Sequence, residues 1–301
     1  MILRNALLFL SRQVWLQRPL ARSRVTRRLV ARFIAGETLA DALTVAEKLH
    51  AGGILSTLDH LGEHVTSLSE ADASLGYALD ALAHIRHHET ISIKLTQFGL
   101  DLSPDHCLRL ASSLVESARA ANVRIEIDME SSAHTEATLR IVRRLHAACG
   151  NVRAVLQAYL YRTASDLDQL CAEAVPVRLC KGAYHEPHSV AFPAKSAVDA
   201  NYRALAITLL DRGVQPAFAT HDEAIIGDLC AEIARRGLPP AAVEFQMLYG
   251  VRRDLQRRLA RQGFPVRLYV PYGSAWYPYF MRRLAERPAN LAFLLRALFQ
   301  R

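Results

Sequence analysis

Eight short apolar runs, many of them β-branched, punctuate the chain. They cover residues 53–58, 91–95, 123–129, 154–159, 175–180, 216–220, 243–248 and 266–272, roughly 22 to 40 residues apart. Helical stretches lie between them. Thr38 with Asp41 forms a capping-box pattern ahead of Leu39, Leu43, Val45 and Leu49, and Gly52-Gly53 is the stop. Ser103-Pro104 opens a second helix that Asn122 closes, with proline at the first helical position. Residues 135–148 form a third, ended by Gly150. Ser165 with Asp168 caps a fourth, and residues 222–236 form a fifth, stopped by Gly237 and Pro239. Short buried strands alternating with helices demand a parallel sheet, and eight of them predict a closed (βα)8 TIM-type barrel of the α/β class. The rival, an open doubly wound sheet, has no GxGxxG after any strand to support dinucleotide binding. The predicted organisation is an N-terminal helical arm over residues 1–50 and a barrel over residues 51–301.

Charge separates these two parts. The net charge of the 301 residues is +8, from 37 basic and 29 acidic side chains. Residues 1–36 hold Arg4, Arg12, Arg18, Arg22, Arg24, Arg27, Arg28 and Arg32 and no acid, so the remainder carries 37 − 8 = 29 basic side chains against 29 acidic ones. A neutral body argues against a nucleic-acid groove. The arm interleaves its arginines with Ile2, Leu3, Leu7, Phe9, Val14 and Trp15. Over residues 1–35 that pattern suits a helix making peripheral contact with an anionic membrane surface, a helix packed on the body, or a cleaved transit peptide. No apolar run is long enough to span a bilayer, because Arg4 and Arg12 interrupt the longest. Five widely spaced cysteines without a CxxC exclude a disulfide framework or zinc ribbon and point to a reducing cytoplasm, with peripheral attachment at the inner face of a membrane as the arm's contribution.

In a barrel of this kind the C-terminal strand ends face the active site. Lys94, Asp128, Gln157, Arg178 with Lys181, Thr220 with His221, Gln246 and Tyr269 fall at or just inside those ends. Charge inside an apolar strand is costly unless paired or bound to ligand, so Lys94, Asp128 and Arg178 mark either a site or a structural ion-pair network. A last helix carries Arg282, Arg283 and Glu286. The i,i+3 and i,i+4 spacings let one carboxylate steady two guanidiniums, which together suit a carboxylate or phosphate ligand or else form an ordinary surface ladder. No metal site is expected, since His221 has no second ligand at suitable spacing.

The runs SIKLTQFGLDLS, IEIDME, LQAYLYRT, VRLCKGAYHEP, FATHD, EFQMLYGVR and RLYVPYGSAWYPYFMRRLAERPAN, in this order, resemble the bacterial monofunctional proline dehydrogenases. They are similar, less closely, to the matching module of the bifunctional proline utilisation flavoenzymes. The resemblance extends from about residue 36 to 300 and implies FAD at the C-terminal strand ends. It implies oxidation of L-proline to 1-pyrroline-5-carboxylate, with electrons passed to a membrane quinone. By motif, Lys94, Arg282 and Arg283 would hold the proline carboxylate and Tyr269 would pack against the ring. Asp128 and Arg178 would be the catalytic pair. Met129, Gln157, Lys181, Gly182, Ala183, Thr220 and His221 would bind FAD, with Tyr184 at its rim and Glu286 orienting the arginine pair. The chain departs from the family at His185, after Gly-Ala-Tyr, and at Asp222, where relatives of the bifunctional type carry Asn.

Two other readings compete. One is the same scaffold oxidising a related cyclic amino acid such as hydroxyproline, which a bulky Tyr269 disfavours. The other is a catalytically inactive barrel serving as a binding or regulatory module, which the retained charges disfavour.

Overall fold

The computed structural model describes residues 28–62 and 65–286, the last three by backbone alone. Most of the arginine-rich arm, residues 1–27, lies outside the described residues. Strands β1 (Leu55–His60), β2 (Thr90–Ile93), β3 (Ile125–Ile127), β4 (Val152–Gln157), β5 (Val177–Cys180), β6 (Ala217–Ala219), β7 (Glu244–Leu248) and β8 (Val266–Tyr272) pair in chain order, each parallel to the next. Six residue pairs between β1 and β8, from Leu55 beside Arg267 to His60 beside Tyr272, close the barrel. All eight expected strands form, with ends displaced by at most two residues and β8 matching its run at both ends.

Nine α-helices of nine or more residues lie among the described residues: α1 (Leu39–Ala51), α2 (Leu68–Ala83), α3 (Pro104–Ala120), α4 (Thr135–Cys149), α5 (Thr163–Ala172), α6 (Lys195–Arg212), α7 (Glu223–Arg235), α8 (Arg253–Arg261) and α9 (Trp276–Glu286). The capping chemistry explains several boundaries. Thr38 and Asp41 make both bonds of the capping box, Ser103 accepts the His106 amide, and Gly150 ends α4 in the left-handed conformation. The expected Ser165 cap is corrected. Helix α5 begins at Thr163, where the Thr163 hydroxyl bonds to the Gln157 carbonyl at 2.6 Å and Arg162 pairs with Asp166 across the first turn at 2.7 Å. Those ties start the helix before Ser165 is reached.

Two helices that the sequence pattern left unmarked, α2 and α6, complete the outer ring. Gly76, a poor helix former, sits inside the continuous helix α2, and the apolar residues of α6 are spread around its circumference.

Helix α1 packs against β1 and β8, filling the flank where the barrel closes. Helix α9 has a different place. Its Trp276, Tyr277, Phe280 and Met281 cluster with Leu61, which follows β1, and Val251, which follows β7. It therefore covers the C-terminal end of the barrel. Leu29, Phe33 and Ile34 join the same cluster, so this end of the arm packs on the body. The strap is tied by Ala35 N–H to the Pro271 carbonyl at 2.9 Å and by Trp276 Nε1 to Glu37 Oε1 at 2.9 Å.

Candidate active site

The barrel axis is filled by charge. Alternation along each strand puts Asp59 on β1, Ser92 and Lys94 at β2, Glu126 and Asp128 at β3, Arg153 on β4 and Arg178 on β5 toward the axis. Glu244 and Gln246 on β7 join them, with Arg267 and Tyr269 on β8. Bonds between distant strands establish the direction: Tyr269 OH donates to Asp128 Oδ2 at 2.6 Å, Arg178 donates to Ser92 Oγ at 3.4 Å, and Arg153 donates to Glu244 Oε1 at 2.8 Å. Each of these eleven residues is buried except Glu244 and Tyr269, which are partly buried.

At the C-terminal end, under α9, Asp128 is the shared acceptor. It takes bonds from Arg178, Ser92 (2.7 Å) and Tyr269, and its Oδ2 lies 3.4 Å from Lys94 Nζ. Lys94 also donates to Asp59 Oδ1 at 3.0 Å and to Tyr269 OH at 3.1 Å. The Tyr269 ring has cations on hand from both, with Lys94 Nζ at 5.8 Å and the Arg178 guanidinium carbon at 5.7 Å from its centroid. Below, Arg178 donates to Gln246 Oε1 at 3.1 Å and pairs with Glu126 Oε2 at 3.2 Å.

This geometry moves the two aspartates apart. Burial raises both carboxyls. For Asp128 the adjacent Arg178 and Lys94 outweigh it and hold the group below the usual carboxylate range. For Asp59 burial prevails over Lys94, and its carboxyl is pushed up. Burial, with Asp128 and Asp59 nearby, likewise carries the Tyr269 phenol well above its ordinary value. At neutral pH Asp128 is a carboxylate and Tyr269 a donor. Lys94, Asp128 and Arg178 thus form an ion-pair network at the C-terminal strand ends.

The remaining candidates ring this centre. Met129 is buried after β3, and Gln157 Nε2 donates to the Glu130 carbonyl at 2.8 Å. Lys181 is gripped by Asp199 and, at 2.8 Å, by Asp222, whose carboxyl the Lys181 bond draws down to about 2. Gly182 has φ +108° and packs so closely on Tyr159 that a Cβ would sit 2.2 Å from the ring. Ala183 and Tyr184 are exposed in the same loop. Thr220 accepts the Asp222 amide at 3.1 Å, and His221 Nε2 accepts the Leu248 amide at 2.9 Å, bracing the end of β6 against β7. Arg282 and Arg283 are half-buried on α9, and the Arg283 guanidinium lies 5.1 Å from the Tyr279 ring centroid. The side chain of Glu286 is outside the described residues. No group of three or more histidine, cysteine or acidic side chains suited to a metal occurs among the described residues.

Asp59, Ser92 and Glu126 were not singled out from the sequence. Asp59 falls one residue past the apolar run ending at Leu58, whereas β1 continues to His60. The charge-in-a-strand signal was present for Glu126 within Ile-Glu-Ile and for Arg153 and Arg267 as well.

A family model described as proline dehydrogenase matches residues 42–296. The chain belongs to the proline dehydrogenase family. It is 39% identical over 303 residues to proline dehydrogenase 1 of Bacillus subtilis, covering the whole of both chains. Identity to the proline dehydrogenase of Deinococcus radiodurans is 38% over 283 residues, or 90% of each. The bifunctional protein PutA of Escherichia coli is 28% identical across 88% of this chain but only 24% of its own length. Among solved structures, proline utilization A from Bdellovibrio bacteriovorus, inactivated by N-propargylglycine, superposes with a TM-score of 0.81. It shares 25% identity, over 88% of this chain and 33% of that one. Membership in the proline dehydrogenases makes this barrel an oxidoreductase scaffold, and the family match begins just inside α1. No helix among the described residues is long and apolar enough to cross a membrane.

Proposed function

We propose that the chain oxidises L-proline to 1-pyrroline-5-carboxylate using FAD held over the C-terminal strand ends, and passes the electrons to a membrane quinone. The observation that carries the reading is Asp128 held between Arg178, Lys94 and Tyr269 at the end of the barrel that α9 covers. The donors around that end suit a phosphate-bearing cofactor. They include the Lys181 ammonium, the Thr220 hydroxyl, the Gln157 amide, and a left-handed Gly182 whose missing Cβ lets backbone approach Tyr159. These residues, with Met129, Ala183, His221 and Tyr184 at the rim, would hold FAD. When bound, FAD supplies an acceptor for the hydride from the ring carbon beside nitrogen.

The protein's part is position and charge. Lys94, Arg282 and Arg283 receive the substrate carboxylate, and Glu286 orients the arginine pair. Clustered cations favour the uncharged form of the substrate amine, from which hydride can leave. Tyr269 packs against the ring. Arg178 presents a fixed positive charge where negative charge develops, because its guanidinium is held on one side by Asp128 and on the other by Glu126 and Gln246.

The test is the visible spectrum of the purified protein before and after anaerobic L-proline. Flavin bands that bleach are expected. A protein that takes up no flavin, or whose bands ignore proline, would overturn the reading and favour the inactive module or another amine substrate. For membrane contact, Leu29, Phe33 and Ile34 are spent on α9, so attachment where quinone is present falls to residues 1–27. Deleting residues 1–27 is expected to abolish binding to anionic liposomes while proline still bleaches the flavin. Undiminished binding would refute this role.

A further inference from the structure

The ionic column continues below the site through Arg153, Glu244 and Arg267. Glu126 is fully buried and stands between two arginines, with Oε2 3.2 Å from Arg178 and Oε1 3.0 Å from Arg153. Gln246 locks it in place: its Nε2 lies 3.3 and 3.4 Å from the two Glu126 oxygens and 2.7 Å from Glu244 Oε1, while its Oε1 accepts from Arg178. Arg153 reaches Glu244 at 2.8 Å, and Glu244 reaches Arg267 at 3.0 Å. Charge thus alternates from Asp128 through Arg178, Glu126, Arg153 and Glu244 to Arg267.

We propose that Glu126 is the positioning residue for Arg178 and sets how much of that positive charge reaches the cofactor, thereby tuning the cofactor's reduction potential. The inference rests on the flavin reading above. The charge of a buried group is felt strongly because little water screens it. Glu126 is one ion pair from Arg178, and its negative charge partly offsets the field that would favour electron uptake. Glu244 also bridges two arginines but has Arg153 between it and Arg178. The two carboxylates therefore carry similar structural duty and differ in electrostatic reach to the site.

The experiment compares Glu126→Gln and Glu244→Gln in the full-length holoprotein, by redox titration of the bound flavin against a reference dye. Glu126→Gln is expected to shift the reduction equilibrium about tenfold toward the reduced form, about 30 mV upward for a two-electron couple. Glu244→Gln is expected to shift it less than half as far, though both melt earlier than wild type. With L-proline, Glu126→Gln should lose kcat and keep KM, because Arg178 is not among the carboxylate-binding cations. A wild-type potential in Glu126→Gln, or equal shifts in both variants, would overturn the proposal. If Glu126→Gln fails to retain flavin, Glu126→Asp is read instead. Drawing the carboxylate back by one methylene should raise the potential by a smaller amount, and an unchanged potential there would be equally decisive against it. A wild-type flavin that ignores proline would instead refute the flavin reading itself.

Discussion

Asp59 and Asp128 grip the same ammonium, at 3.0 and 3.4 Å from Lys94 Nζ, yet their proton affinities are displaced in opposite directions. The difference is Arg178. Asp128 has it as a second cation, whereas burial outweighs the Lys94 ammonium at Asp59. Two like side chains in one site therefore have unequal roles.

That inequality predicts unequal losses. Asp128→Asn leaves Arg178, Lys94 and Tyr269 without their shared acceptor, and kcat/KM for L-proline is expected to fall at least about a hundredfold, equivalent to about 2.7 kcal/mol. Asp59→Asn acts through Lys94, and a loss of about tenfold, mostly in KM, is expected from one charged hydrogen bond. Steady-state kinetics decides this, and matching losses would show that the two carboxylates are interchangeable.

Gly182→Ala tests the cofactor rim. A Cβ there would strike the Tyr159 ring at 2.2 Å, on a backbone with φ +108° that side chains rarely adopt. Strain of this kind costs about 1–3 kcal/mol, and the loop is expected to shift. The purified variant should carry less flavin per chain by absorbance than wild type, with the barrel's circular dichroism retained. Full occupancy would argue that the loop does not line the cofactor site.

Glu244 predicts an acid-dependent stability. Burial raises its carboxyl, but Arg267 and Arg153 more than offset this and draw it down to about 2 from 4.5. The folded value lies below the unfolded one, so the contribution is fully present above about pH 4.5 and disappears as pH falls toward 2. At neutral pH it amounts to about 3 kcal/mol, and Glu244→Gln should forfeit roughly that much. Denaturant melts of the two proteins should converge between pH 4.5 and 2. A gap that stays constant with pH would show that the loss is packing rather than charge.

Trp276→Phe loosens the strap over the barrel mouth. It keeps an aromatic ring but removes the 2.9 Å bond to Glu37, worth about 1 kcal/mol. Helix α9 carries Arg282 and Arg283, so KM for proline is expected to rise about fivefold with kcat nearly unchanged. A drop confined to kcat would place the strap's influence elsewhere.

Much of this was legible in the chain because it depends on local chemistry. Eight apolar runs separated by capped helices specify parallel strands, and Thr38, Ser103 and Gly150 stop or start helices through bonds within a few residues. Lys94, Asp128 and Arg178 announced themselves because a charge in an apolar strand needs a partner. The Ser165 cap misled because Ser-x-x-Asp spacing carries no information about Thr163 reaching back to Gln157.

What the sequence by itself determined is the (βα)8 alternation, the neutrality of the body and the types of side chain available at the strand ends. Only the tertiary structure decided which charge meets which. Asp59 and Lys94 are 35 residues apart, and Arg153 and Glu244 are 91 apart, and they pair because barrel closure turns alternate residues of every strand onto one axis. Closure also assigned the flank beside β8 to α1 and left α9 to cover the site, an outcome set by competition between apolar faces for the same surface.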